Sequence, residues 1–540
     1  MERVPRWGTI PRMLRAQAAA HPTALAVADG AVTLTLAQLR SGAEQVARAL
    51  LAAGVRAGDR VAVWAPNHWS WVVTAFGIWD AGAVIVPLST RYKGYEAGDL
   101  LQRTGARVLF VSEGFLDISY VGLLADVYGA PKDGLPFEEL EQLELVVSFE
   151  DVKPRPGVVN AQEFLKRGDD VDPKAAAERA EWVRPDDLCE VLSTSGTTGV
   201  PKGVMLQHEQ MLRAYWDWSG IADLRAGDRY PVVSPFAHGF GINAGILACV
   251  MRAATLLPIA VFDPDAALGL IERERVSLLA GPPTLFARLV SHPELTTRNV
   301  SSLRVAIVGA ASVPEELVND MQEQLGLERV INAYGLIEGS VVTMTRQQDS
   351  AEIVATTAGR AVPGMEVRIV NDHGHQLAPH ARGEILVRGY GVTHGYWGAP
   401  EESAETLSGG WLHTGDVGVL DDAGNLSIVG RKKDMFIAGG FNAYPAEIEN
   451  LLLRHPDVAQ VAVVPVPHAT LGEVGCAYIV PQDGSSPSAA DLIAWARQNM
   501  SNYKVPRRVF VVSELPATAN GKIDKRELRD QALIETKRTA

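Results

Sequence analysis

Apolar residues recur along the first three-quarters of the chain in two alternating rhythms. Leu36, Leu39, Ala43, Val46 and Leu50 are spaced three or four residues apart, which sets them on one face of a helix. Gly54 and Gly58 follow as its stop. Val61-Ala62-Val63-Trp64 comes next, a short apolar run suited to a strand covered on both faces. Similar runs return at Val84-Ile85-Val86 and at 108–111, 278–280 and 305–308. Strands alternating with helical stretches predict α/β layers and parallel sheets. No fixed-period repeat is visible. Residues 113–185 lose the rhythm and are rich in Asp, Glu, Gly and Pro, so a surface excursion is expected there. From about 434 the character changes. Pro445 suits the first turn of a helix, with Ile448, Leu451 and Leu452 on one side. Short strands are expected over 461–466 and 475–480, then a helix from Ala489. The expected architecture is an α/β domain of layered sheets and helices over residues 1–430, followed by a small mobile α+β domain over 431–540.

Composition narrows the class. The 540 residues are 47% hydrophobic and 21% charged, ordinary for a globular chain and wrong for a disordered one. The apolar stretch over 75–88 is broken by Asp80, Gly82 and Pro87, whereas a membrane span needs about 20 unbroken apolar residues. The N-terminus has no apolar core run of the secretory kind. Cys189, Cys249 and Cys476 are far apart and form no CxxC, as expected of thiols in a reducing cytoplasm. A net charge of −14 argues against a nucleic-acid binder. It leaves room for an anionic small molecule, which senses only its local pocket. No HxxxH, HExxH or paired-cysteine metal cluster is present.

The segment Ser193-Thr194-Ser195-Gly196-Thr197-Thr198-Gly199-Val200-Pro201-Lys202-Gly203 lies between an apolar run, Val191-Leu192, and a helix-like stretch from Gln207. Glycines let backbone N–H groups approach an anion, hydroxyls add donors, and a lysine neutralises charge, so the segment reads as a phosphate cradle. It is not the kinase-type cradle, because Pro201 and Gly203 stand where GxxxxGK[ST] needs Gly and Ser or Thr.

This segment resembles the signature of the adenylate-forming superfamily of acyl-CoA synthetases, peptide-synthetase adenylation domains and luciferases. Four further motifs follow in the family's order. Tyr334-Gly335-Leu336-Ile337-Glu338 is similar to YGxTE, and Thr414-Gly415-Asp416 to TGD. Gly430-Arg431-Lys432-Lys433-Asp434 resembles the family's hinge, and Pro516 to Lys522 its C-terminal lysine motif. Within the family the chain most resembles bacterial fatty-acyl-CoA-ligase-type proteins, including actinobacterial ones that act on bulky steroid-derived acids.

The resemblance implies an ATP- and Mg²⁺-dependent enzyme that converts a carboxylic acid to acyl-AMP and passes the acyl group to coenzyme A. It implies that Thr194, Ser195, Gly196, Thr197, Thr198, Gly199 and Lys202 surround the β,γ-phosphates. Tyr334, with Gly335, would stack on adenine, and Asp416 and Arg431 would reach the ribose. Glu338 would hold Mg²⁺, a hard cation suited to carboxylate and phosphate oxygens. Lys522 would meet the carboxylate during adenylation, and Lys433 would be the hinge. Gly439 and Gly440 would line the pantetheine tunnel. His238, in Pro235-Phe236-Ala237-His238-Gly239-Phe240-Gly241, would be an aromatic gate to the acyl pocket. Gly309, Ala310 and Ala311 would border the acyl chain. The absence of an obvious charge there favours an apolar acid over an amino acid. The resemblance also leaves room for a homodimer, for a separate carrier protein as acceptor, and for a family member that has lost catalysis. One departure stands out: Ile337 occupies the family's usual Thr position, removing a donor near the phosphates.

Overall fold

The computed structural model describes residues 4–538 apart from 130–134, 152–155, 195–201, 310–312, 314, 432–435, 444, 483 and 517–522. The predicted Leu36-to-Leu50 stripe is the buried face of the helix Leu36–Ala52. Thr35 starts it with a reciprocal cap: its hydroxyl accepts the Gln38 N–H at 3.2 Å, and Gln38 Oε1 accepts the Thr35 N–H at 2.8 Å. Gly54 follows at φ 77°, a conformation that favours glycine.

Among the described residues the strands form four sheets, of nine, seven, four and five strands. In the seven-stranded sheet, Arg60–Trp64 lies centrally, parallel to Val84–Pro87 and to Ala106–Val111. The nine-stranded sheet carries Leu278–Gly281, Val305–Gly309 and Arg329–Leu336 side by side in parallel, with Ile307 facing Ile331 across the ladder. One continuous apolar core draws side chains from both sheets and from the helices Ile10–Ala20, Leu36–Ala52 and Trp69–Asp80.

Three expectations need correction. The region 113–185 is more than a surface excursion: Leu145–Ser148 and Val158–Asn160 pair in parallel at one edge of the seven-stranded sheet, with the run Leu145 to Ser148 fully buried. The glycine-rich segment does not lead directly into a helix. The strand Lys202–Gln207 intervenes and joins the same sheet before the helix His208–Ile221. The four-stranded sheet over 365–431, antiparallel across its first three strands, interrupts the α/β rhythm.

The chain divides into two units. One comprises 1–90, 101–192 and 203–430, and the other 91–100, 193–202 and 431–540. In the second unit, Val458–His468 and Gly472–Pro481 form a long antiparallel pair. The helices Pro445–Leu452 and Ala489–Asn499 pack on it through Ile448, Leu452, Leu492 and Ala496. The segment 91–100 joins this unit through polar contacts that composition did not announce. Lys504 Nζ meets Glu96 Oε1 at 2.7 Å, with both side chains almost fully buried. Ser501 Oγ donates to the Arg91 carbonyl at 2.7 Å. Among the described residues no helix is long and apolar enough to cross a membrane.

Candidate active site

Tyr334 and Asp416 come from different sheets of the first unit. Tyr334 lies near the end of Arg329–Leu336, where the ladder with Ser340–Met344 slips between Tyr334 and Gly335. A Cβ at Gly335 would overlap the Ser340 carbonyl, so glycine alone fits this bulge. Asp416 lies on Leu412–Leu420 and is 3% exposed. Its N–H donates to Thr414 Oγ1 at 3.1 Å, and Thr414 Oγ1 donates to the Ile385 carbonyl at 2.7 Å. The Tyr334 hydroxyl donates to Asp416 Oδ2 at 2.6 Å. Two of the sequence motifs therefore meet directly.

Glu338 follows on the turn between those strands. Its carbonyl accepts the Thr393 N–H at 2.7 Å, and its Oε1 accepts the Tyr396 hydroxyl at 3.1 Å. The same segment is laced to the strand after the glycine-rich loop: the Trp397 N–H donates to the Gly203 carbonyl at 2.7 Å, and the Met205 N–H to the Gly395 carbonyl at 3.1 Å. Tyr396 and Thr393 were missed from sequence. The available signal was the cluster of glycines and aromatics over 389–398, which no motif in hand covered. Among the described residues no group of three or more His, Cys, Asp or Glu could hold a metal. A single carboxylate such as Glu338 suits a Mg²⁺ ion whose other ligands are water and substrate phosphates.

His238 stands at the mouth of a wide-turned helix, Phe240–Leu247, of the π type often found at functional sites. Its Nδ1 accepts the Phe240 N–H at 3.2 Å. The residue is exposed, and the surrounding protein still desolvates the ring enough to hold its pKa below the usual imidazole range. Gly239 is seated against Leu192 and Ile337: a Cβ there would lie 3.3 Å from Leu192 Cδ1 and 3.8 Å from Ile337 Cγ1. Ile337 thus joins an apolar wall. A Cβ at Gly241 would overlap the Pro235 carbonyl, so this glycine serves close packing. Gly309 ends its strand opposite Ala333, which precedes Tyr334.

Ser195, Gly196, Thr197, Thr198, Gly199, Ala310, Ala311, Lys433 and Lys522 lie outside the described residues. Thr194 ends the strand Leu188–Thr194, Lys202 opens the next strand, and Arg431 ends Leu426–Arg431. Gly439 and Gly440, in the second unit, form the two-residue turn between Phe436–Ala438 and Phe441–Ala443. Their φ values of 59° and 83° are those of a tight hairpin, so the turn alone accounts for both glycines.

The family model for AMP-binding enzymes matches residues 14–397, and that for the AMP-binding enzyme C-terminal domain matches 447–522. The chain is 44% identical, over 97% of its length and 98% of the relative's, to the 3-[(3aS,4S,7aS)-7a-methyl-1,5-dioxo-octahydro-1H-inden-4-yl]propanoyl:CoA ligase of Rhodococcus jostii. It is 35% identical to a feruloyl-CoA synthase of Amycolatopsis, over 94% of this chain and 96% of that one. Among solved structures it resembles the amide bond synthetase McbA from Marinactinospora thermotolerans, with a TM-score of 0.79 and 28% identity over 96% of this chain and 99% of that one. The matches span both the large and the small part of the chain and include the segments that bring Tyr334 and Glu338 to their partners: it belongs to the AMP-binding enzyme family, and its reaction is AMP-forming ligation of an acid to a thiol.

Proposed function

We propose that this acyl-CoA ligase acts on an apolar, ring-containing carboxylic acid of the steroid-derived kind, forming acyl-AMP and then the coenzyme A thioester. The observation that carries this reading is the apolar wall of Leu192, Gly239 and Ile337 beside the exposed His238. Such a wall gains free energy from each apolar surface it covers, on the order of 25 cal/mol per Å². The likeness to the Rhodococcus ligase, whose name gives a bicyclic propanoyl group, supports a compact ring system over an extended chain.

In the first half-reaction a carboxylate oxygen attacks the α-phosphorus of ATP and pyrophosphate leaves. Two anions must meet, so the protein's contribution is positioning and charge neutralisation. Tyr334 would present its ring face to adenine while its hydroxyl is held by Asp416, and Asp416 would accept hydrogen bonds from the ribose hydroxyls. Lys202, the glycine-rich loop and Lys522 would neutralise the phosphates and the incoming carboxylate. Glu338 would hold Mg²⁺, whose charge would offset that of the phosphates, while the Tyr396 hydroxyl orients the carboxylate. In the second half-reaction the thiol sulfur bonds to the acyl carbon and AMP leaves. The three cysteines, all free and buried, support a reducing, cytoplasmic setting.

The test is product analysis by mass spectrometry after incubation with ATP, Mg²⁺, coenzyme A and a mixed pool of fatty, aryl and steroid-derived acids. Acyl-CoA from the ring-containing acids bears the reading out. Thioester formation confined to straight-chain acids would refute it, and acyl-AMP without acyl-CoA would point to a carrier protein as acceptor.

A further inference from the structure

One polar pair inside the first unit is left incomplete by the protein itself. Glu190 lies on Leu188–Thr194, beside Ile85 of the neighbouring strand, and is 0% exposed. Asn243, on Phe240–Leu247, is 1% exposed. The Asn243 Nδ2 donates to Glu190 Oε2 at 3.0 Å. Glu190 Oε1 and Asn243 Oδ1 have no hydrogen-bond partner. Unpartnered buried polar atoms cost about 1–3 kcal/mol each, so two in one contact call for an explanation.

Their placement supplies one. Side chains two apart on a strand share a face, so Glu190 points to the same side as Leu192, which borders Gly239. The Ile242 N–H donates to the His238 carbonyl at 3.1 Å, which brings Asn243 round one turn beyond His238. The pair therefore belongs to the apolar wall already described, as its polar end. Burial pushes the Glu190 carboxyl up to about 8, with only the Asn243 amide opposing that shift. The neutral acid carries an O–H that can donate.

We propose that Glu190 and Asn243 form a specificity site for an oxygen substituent on the ring system of the acid, with Glu190 Oε1–H donating to an oxo group and Asn243 Oδ1 accepting from a hydroxyl. The inference rests on the ring-containing acid of the proposed function. A carbonyl oxygen accepts only, so burying it in an apolar wall requires a donor. A site built to hydrogen-bond a substrate group rejects the analogue lacking it far more strongly than an apolar pocket rejects a missing methylene.

The experiment compares two probes: the bicyclic dioxo propanoic acid of the Rhodococcus ligase's name, and its analogue with both ring oxo groups replaced by CH₂. Binding of the non-hydrolysable acyl-sulfamoyl-adenosine of each is measured by calorimetry, alongside thioester formation. The dioxo compound is expected to bind the unaltered protein at least tenfold tighter. Glu190→Leu should remove that preference while leaving the deoxy compound within threefold. Glu190→Gln, which keeps a donor, should retain most of it. Equal binding of the two compounds by the unaltered protein, or a Glu190→Leu loss shared equally by both, overturns the proposal, as does failure of the dioxo compound to bind. Turnover of ring acids without an oxo preference would sink the pair alone and leave the substrate reading standing. An oxo preference in binding without turnover of any ring acid would sink the substrate reading alone.

Discussion

The Tyr334 hydroxyl donates a 2.6 Å hydrogen bond to Asp416, a residue 82 positions away on another sheet. The bond fixes the tyrosine ring against the carboxylate, so in the proposed function the two residues would meet the nucleotide as one fitting. Asp416→Asn is expected to lower kcat/KM for ATP by ten- to a hundredfold, the equivalent of one charge-assisted hydrogen bond of about 1.5–3 kcal/mol. Tyr334→Phe should cost less, because the ring remains. Pyrophosphate release at varied ATP reads both, and an unchanged ATP dependence in Asp416→Asn would remove that residue from the nucleotide site.

Glu338 and Tyr396 should separate in magnitude. Glu338→Gln replaces the proposed anionic Mg²⁺ ligand by a neutral one, and adenylation is expected to fall a hundredfold or more, with partial recovery at raised Mg²⁺. Tyr396→Phe removes only an orienting hydroxyl at 3.1 Å and is expected to cost about threefold to tenfold. A titration of activity against Mg²⁺ distinguishes the two, since a Glu338→Gln enzyme with an unshifted Mg²⁺ requirement would contradict its assignment.

Ile337 packs towards Gly239 and Leu192, and in the proposed function its side chain would serve the acid more than the phosphates. Ile337→Thr is expected to preserve or raise the adenylation rate at saturating acid while raising KM for a bulky apolar acid about fivefold to tenfold, as lost apolar contact in a pocket would. Loss of kcat instead would show that the isoleucine is part of an adapted phosphate geometry.

Asp80 ends the helix Trp69–Asp80 in the core, where Arg15 reaches it with two contacts of 3.3 Å. Burial outweighs that ion pair and pushes its pKa up to about 7. The folded state therefore holds a proton that the unfolded chain releases near pH 4, and stability falls as pH rises from about 4 through about 7. The span corresponds to about 4 kcal/mol at most. Asp80→Asn should flatten the denaturation midpoint across that window. Identical pH profiles for the two proteins would mean that the aspartate is ionised throughout.

The Lys504–Glu96 pair holds the segment 91–100 within the second unit. Glu96→Gln leaves a buried ammonium without its counter-charge, which costs about 3–5 kcal/mol. Replacing both, as Glu96→Leu with Lys504→Met, should cost much less. Hydrogen exchange of the amides over 91–100 is the readout: faster exchange in the single variant and near-normal exchange in the double one is expected, and equal protection in all three would deny the pair any role.

The sequence by itself determined the local elements and the family. The spacing of Leu36 to Leu50 and the runs at 61–64 and 305–308 report burial directly, because a helix face and a two-sided strand each impose their own period on the chain. The motifs grouped Tyr334, Glu338 and Asp416 as candidates for one site, and of these the structure joins Tyr334 to Asp416. Tertiary structure decided the pairings. Nothing local marks Tyr396 as the partner of Glu338, or Asn243 as that of Glu190, because a polar side chain's partner is set by which distant element packs against it. The strands at 145–148 and 158–160 escaped the reading for a related reason. They are short runs in a polar, Pro-rich stretch, 158–160 at the sheet edge and 145–148 beside it, and Leu145-Val146-Val147 and Val158-Val159 are too brief to show a period of their own.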